Sequence, residues 1–88
     1  MKIMYKADTW IGYKVTEKVI TKETDKSVWF FRGNVELCEL KETNNHKYFE
    51  NKEDAERHIR DFLLEEIRRA ESRVQYWREK LDKLNRGG

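Results

Sequence analysis

The sequence predicts an α+β domain, an antiparallel β meander of three strands, four if the N-terminal segment joins, packed on one long C-terminal helix whose distal half projects as a short coiled coil. Three observations predict it. Apolar side chains alternate with period two in several short runs before residue 50, their spacing changes to threes and fours between Asn51 and Arg86, and no proline occurs to interrupt that second pattern. An 88-residue chain has core enough for one domain, so 1–50 and 51–86 are two layers of a single unit.

Met1 to Ala7 carries Ile3, Tyr5 and Ala7 on one alternation and suits a short strand, with Asp8-Thr9 as a turn. From Trp10 to Lys22, Ile11, Tyr13, Val15 and Val19 share one parity, interrupted by Glu17, and Lys14, Thr16, Lys18, Ile20 and Lys22 share the other. This predicts a strand with its odd-numbered face buried. After the polar turn Glu23 to Lys26, the β-branched and aromatic run Ser27 to Arg32 predicts the hairpin partner. Gly33-Asn34 tolerates positive φ and leads into a third strand, Val35 to Lys41, followed by a polar loop, Glu42 to Lys47. The apolar face of this sheet needs a cover, and the helix is the candidate.

Asn51 is the expected N-cap, with Glu53 and Asp54 placed where the helix dipole favours negative charge. Ala55, Ile59, Phe62 and Leu63 form a broad apolar face suited to a sheet. From Leu63 the steps are four and three without a break, with Ile67, Val74 and Leu81 at a positions and Leu63, Ala70, Trp77 and Leu84 at d positions. A helix of this length spans about 50 Å and a seven-residue strand about 23 Å, so the distal seam lies beyond the sheet and needs a partner.

The flanking charges choose an orientation for a homodimer. Parallel pairing sets Glu66 against Glu71 and Arg73 against Arg78, both repulsive. An antiparallel register with Val74 on Trp77, Ile67 on Leu84 and Ala70 on Leu81 brings Glu66 to Lys80 and Glu71 to Arg78, with one Arg73 to Arg73 contact against them. The expected interface is therefore antiparallel, through residues 67 to 84.

Composition narrows the function. Nineteen Lys and Arg oppose 17 Asp and Glu, and the halves are equally balanced, so no global field draws the chain to nucleic acid or an anionic membrane. No apolar run reaches the length of a membrane span or signal-peptide core, which sets a cytoplasmic expectation. Cys38, His46 and His58 show no metal-ligand spacing and nothing orients them for nucleophilic catalysis. No phosphate-binding glycine motif is present, and the helix carboxylates sit at ion-pair spacings such as Glu65 to Arg69. Neither metal, cofactor nor enzyme activity is expected.

Two binding surfaces remain. Three Trp, four Tyr and four Phe are a surplus over what one covered sheet face can bury. Trp10, Trp29, Phe30 and Tyr76 are the candidate anchors for a protein partner. Alternatively, Lys14, Lys18 and Lys22 on one strand parity, with Lys26 and Arg32 near by, form a basic face flanked by aromatics that suits a single-stranded nucleic acid.

The run Ile20 to Phe31 (ITKETDKSVWFF), the strand after it, and Lys47 to Ala55 (KYFENKEDA) together resemble a layout found in small bacteriophage accessory proteins of the host-takeover or anti-defence type. There a β meander enters a helix through an aromatic, a polar cap, acidic residues and an alanine. The resemblance covers residues 10 to 60 and carries over no functional residue. It implies an early phage protein that stoichiometrically blocks a host or defence protein in the host cytoplasm.

Overall fold

A computed structural model describes residues 1–87 of the chain. Five strands, β1 (Lys2–Asp8), β2 (Val15–Glu23), β3 (Ser27–Arg32), β4 (Val35–Leu40) and β5 (His46–Phe49), precede one helix, α1 (Lys52–Asn85). All pairs are antiparallel and the sheet order is β4-β3-β2-β1-β5, a meander whose last strand returns beside the first. The class is α+β, as the alternating and then helical spacing predicts.

The fifth strand lies in a stretch whose sequence signals a polar loop running into the helix. Tertiary pairing overrides that signal. Thr43 N–H donates to the His46 carbonyl (2.9 Å), Glu42 bridges Lys47, and Tyr48 N–H donates to the Lys41 carbonyl (2.8 Å). The chain beyond β4 thus folds back onto β5 while β5 pairs with β1, and the sheet curls nearly closed.

That curl changes where the core sits. The concave face holds Met4, Ile20, Val28, Phe30 and Tyr48, all buried, with Leu37 against them, and no helix residue takes part. A second, smaller cluster lies on the outer face. There Ala55 and Ile59 of α1 meet Ala7, with Tyr5, Val15 and Phe49 alongside. Ala7 and Ala55, both fully buried, let the helix backbone approach β1 closely. The helix therefore clasps the rim of a sheet that has already filled its own interior.

The strand expected from Trp10 begins only at Val15. The Asp8 carboxylate accepts from the N–H groups of Trp10 (2.8 Å) and Ile11 (3.0 Å), and Gly12 (φ 82°) and Tyr13 (φ 48°) then take left-handed conformations that no strand accommodates. Ile11, Tyr13 and Val19 are exposed, and the buried residue of β2 is Ile20, on the opposite parity. The inward face of a curled sheet is set by its own closure, which alternation alone does not reveal. The Gly33-Asn34 turn forms as expected, with Gly33 at φ 62°.

The helix starts where its cap signal says. The Asn51 Oδ1 accepts from the Asp54 N–H at 2.8 Å, and Glu53 and Asp54 occupy the first turn. At about 1.5 Å per residue its 34 residues reach roughly 51 Å, within a molecule measuring 67 × 24 × 22 Å. Among the described residues no helix is long and apolar enough to cross a membrane.

Candidate interaction surface

The sheet holds α1 only as far as Phe62, whose ring stacks on Tyr13 (centroids 6.0 Å apart), one turn beyond the contact of His58 with Phe49 at 5.3 Å. From Glu66 onward every described helix residue is exposed. Ile67, Ala70, Val74, Trp77, Leu81 and Leu84 follow one another along this free segment, and Trp77 leaves 61 % of its surface open. With 3.6 residues per turn, their row is centred roughly 50° around the helix from the Ala55–Ile59 face.

Ala70 creates a shallow depression of about 470 Å³ between Ile67 and Val74, rimmed by Glu71, Gln75 and Arg78. A small residue between two larger ones is a hole for an opposing side chain. Tyr76 stands beside the seam, its ring edge-on to Trp77 (5.0 Å) with the Lys80 ammonium 5.3 Å from its centre. Glu66 is paired along its own helix with Arg69 (3.3 Å), which leaves Glu71, Arg73, Arg78 and Lys80 as the flank charges outside any ion pair among the described residues.

The four aromatic anchors do not gather into one patch. Phe30 is 4 % exposed inside the curled sheet and is a core residue. Trp29, half-buried on the outer face, lies 4.8 Å below the Lys22 ammonium. Trp10 stands exposed in the β1–β2 loop, and Tyr76 belongs to the distal helix. The pleat of β3 sends successive residues to opposite faces, which separates Trp29 from Phe30, and curling makes the Phe30 face the interior.

The basic face divides at a β-bulge. Lys14 precedes β2, and the register shift between Ile20 and Lys22 moves Lys22 across to the side of Trp29. Lys18 stays on the Phe30 side, 4.6 Å from that ring. Lys26 lies in the β2–β3 turn, where its carbonyl accepts from the Lys41 N–H at 2.7 Å, and Arg32 ends β3. A β-bulge is invisible to parity counting, and one residue of shift is enough to split the row.

A polar network inside the sheet gives no sign of itself in the sequence. The Tyr48 hydroxyl donates to Glu39, and the Lys6 ammonium reaches the other oxygen of that carboxylate at 2.9 Å. Burial pushes the Glu39 carboxyl up, but the Tyr48 hydroxyl and Lys6 outweigh it and hold it below the usual carboxylate value. Burial first, and then Glu39, raises the Tyr48 phenol. These groups join β1, β4 and β5 across the curl and are structural in position.

The cysteine and histidines have separate surroundings. Cys38 is exposed on β4, His46 donates from Nε2 to the Leu40 carbonyl (2.8 Å), and His58 packs on Phe49. Compared with protein families, curated proteins and solved structures, the chain matches none.

Proposed function

We propose that the protein is a non-catalytic protein-binding module, of the kind a phage uses to block a host or defence protein stoichiometrically, and that it dimerises through the free half of α1. The observation that carries this reading is the unbroken apolar seam from Ile67 to Leu84, held clear of the sheet in an otherwise highly charged chain. A large exposed apolar stripe on a helix is costly to leave in water, and a second helix covers it in the manner of a coiled coil.

The antiparallel register suits the shape. With Ile67 level with the second copy's Leu84, the two seams cover each other over about 26 Å, and each sheet lies beyond the other's helix end. Leu81 of one copy enters the depression at Ala70 of the other. The Glu71 and Arg78 pair, offset by about 3 Å along the axis, then supplies the orienting attraction, whereas Glu66 must reach about 7 Å to Lys80. Arg73 lies about 3 Å from the level of Lys80 and opposes the pairing, so the flanks are nearly balanced and apolar burial sets the affinity.

Sedimentation equilibrium tests the reading. A mass near twice 10.8 kDa is expected for the wild type, falling to the monomer in Trp77→Glu with the sheet signals of its NMR spectrum unchanged. A monomer in both removes the dimer. The basic residues are dispersed over two faces and a turn, so no tight, salt-sensitive binding of single-stranded oligonucleotides is expected in the same preparation.

A further inference from the structure

The ladder between β2 and β3 is incomplete. Its register runs from Glu23↔Val28 through Lys22↔Trp29 to Ile20↔Phe30 and stops there. Beyond that point β2 remains paired with β1 as far as Val15, and β3 remains paired with β4 as far as Arg32. The two strands thus part as two leaves from Val19 and Phe31 onward, just past the Thr21 bulge. Between them lies a cleft of about 330 Å³ lined by Glu17, Lys18, Val19, Thr21, Phe30 and Phe31, with Met1 at its margin.

Two features of the cleft specify what fits. The first is its lips. A strand that loses its neighbour in mid-sheet presents unpaired main-chain groups, the template on which an extended peptide adds. Val19 and Phe31, 50 % and 56 % exposed, supply apolar contact at this edge, and a nucleic-acid backbone offers no N–H groups to continue the ladder.

The second is charge. Lys2, Lys6, Lys41 and Lys47 each hold a carboxylate, but among the described residues Lys18 and Arg32 are in no ion pair. Burial and then the neighbouring Lys6 charge, with Arg32 adding least, hold the Lys18 ammonium below the pKa of a free lysine, although the Glu39 carboxylate draws it the other way. A carboxylate set beside it relieves that repulsion. Two carboxylates border the cleft, Glu17 on the opposite parity of β2 from Lys18, and Glu36, which accepts from the Thr21 hydroxyl at 3.2 Å beside Phe31, so both lie away from the Lys18 side.

We propose that the β2–β3 cleft binds an extended acidic segment of a partner protein, added as a short strand between the two leaves, with an apolar side chain on Val19 and Phe31 and a carboxylate between Lys18 and Arg32. This rests on the protein-binding reading above and names the chemistry of the partner. It is independent of the helix seam, which lies at the other end of α1.

Titration of the ¹⁵N-labelled full chain with a nine-residue peptide of alternating glutamate and valine tests it. Saturable amide shifts are expected at Val19, Thr21, Phe31 and Arg32, absent with the alternating lysine–valine peptide. At least tenfold weaker binding is expected both in Lys18→Glu/Arg32→Glu and in Val19→Lys, an exposed substitution that provides a second folded control. The titration runs identically on Trp77→Glu, so loss of the dimer and loss of the cleft read separately. No saturable shift in the folded wild type, equal shifts with both peptides, stronger shifts at these amides with oligothymidylate, or the same shifts from raising the protein concentration alone would each overturn the proposal.

Discussion

The two halves of α1 are both amphipathic in sequence and have opposite roles in space. Between Lys52 and Phe62 the helix buries Ala55 and Ile59 against Ala7 of β1, whereas between Glu66 and Asn85 it buries nothing. The first half is held by tertiary contacts and the second by its own hydrogen bonds and ion pairs, such as Arg69 with Glu65 and Arg86 with Asp82. Helical stability in proteins comes mostly from packing an amphipathic face rather than from propensity, so the free half, which packs on nothing, depends on continuity with the anchored half or on a partner. The comparison separates residues that make the fold from residues that are available for binding.

The largest effect expected from that separation is a contrast between apolar truncations. Phe30→Ala in the sheet interior should cost about 3–5 kcal/mol in urea unfolding, the usual loss for a buried aromatic. Ile67→Ala in dilute, monomeric protein should change stability by less than about 0.5 kcal/mol, because it removes an exposed side chain from a helix that accepts alanine well. At dimer-forming concentrations the same Ile67→Ala should raise the dissociation constant. Equal losses for both truncations in the monomer would mean that the distal seam folds back on the sheet.

The sequence makes the helix legible and the sheet only partly so. The Asn51 cap, the acidic first turn and the heptad steps are local signals, and local hydrogen bonds realise them without reference to the rest of the chain. The strands at Ser27–Arg32 and Val35–Leu40 are legible for the same reason, since the Gly33-Asn34 turn joins them directly. The β5 pairing, the Thr21 bulge and the inward placement of Ile20 depend on the sheet closing on itself, a long-range event with no local marker. Phe30 shows the consequence for function: read from composition it is a surface anchor, and curling makes it core. The Lys14, Lys18 and Lys22 row fails as a single face for the same reason, whereas the seam residues lie where helical periodicity places them.

A smaller effect tests the sheet side of the comparison, where stability includes a half-buried charge. Glu39→Gln keeps the shape but leaves Lys6 unpaired and weakens the acceptor for Tyr48, a loss of about 1–3 kcal/mol at neutral pH. The folded pKa of Glu39 lies below the unfolded value, so the contribution is fully present above the ordinary carboxylate pKa and disappears as pH falls through the folded one. Urea midpoints of wild type and Glu39→Gln should therefore converge below about pH 4. A gap that stays constant with pH would assign the loss to packing.

Next in size is the cap that links the two halves. Asn51→Ala removes the acceptor for the Asp54 N–H and should cost about 1 kcal/mol, with Asn51→Ser recovering most of it. Because the anchored half carries the free half, hydrogen exchange between residues 67 and 84 should quicken in the monomeric Trp77→Glu background as the first turn weakens. Protection unchanged there would show that the distal helix is stable without its anchored end.

The smallest effect decides the orientation of the free half. Exposed ion pairs contribute only about 0.2–1 kcal/mol each, but Glu71→Arg changes the sign of the contact differently in the two arrangements. In the antiparallel pair the introduced guanidinium would face Arg78 twice, and the dissociation constant should rise several-fold. In a parallel pair the same substitution would set a positive charge against Glu66, replacing a repulsion with an attraction, and the constant should fall. Arg78→Glu gives the same pair of opposite outcomes, since it meets Glu71 in one arrangement and Arg73 in the other. Two variants moving together toward tighter association would exclude the antiparallel arrangement while leaving the seam itself intact, because Trp77 and Leu81 are buried in both.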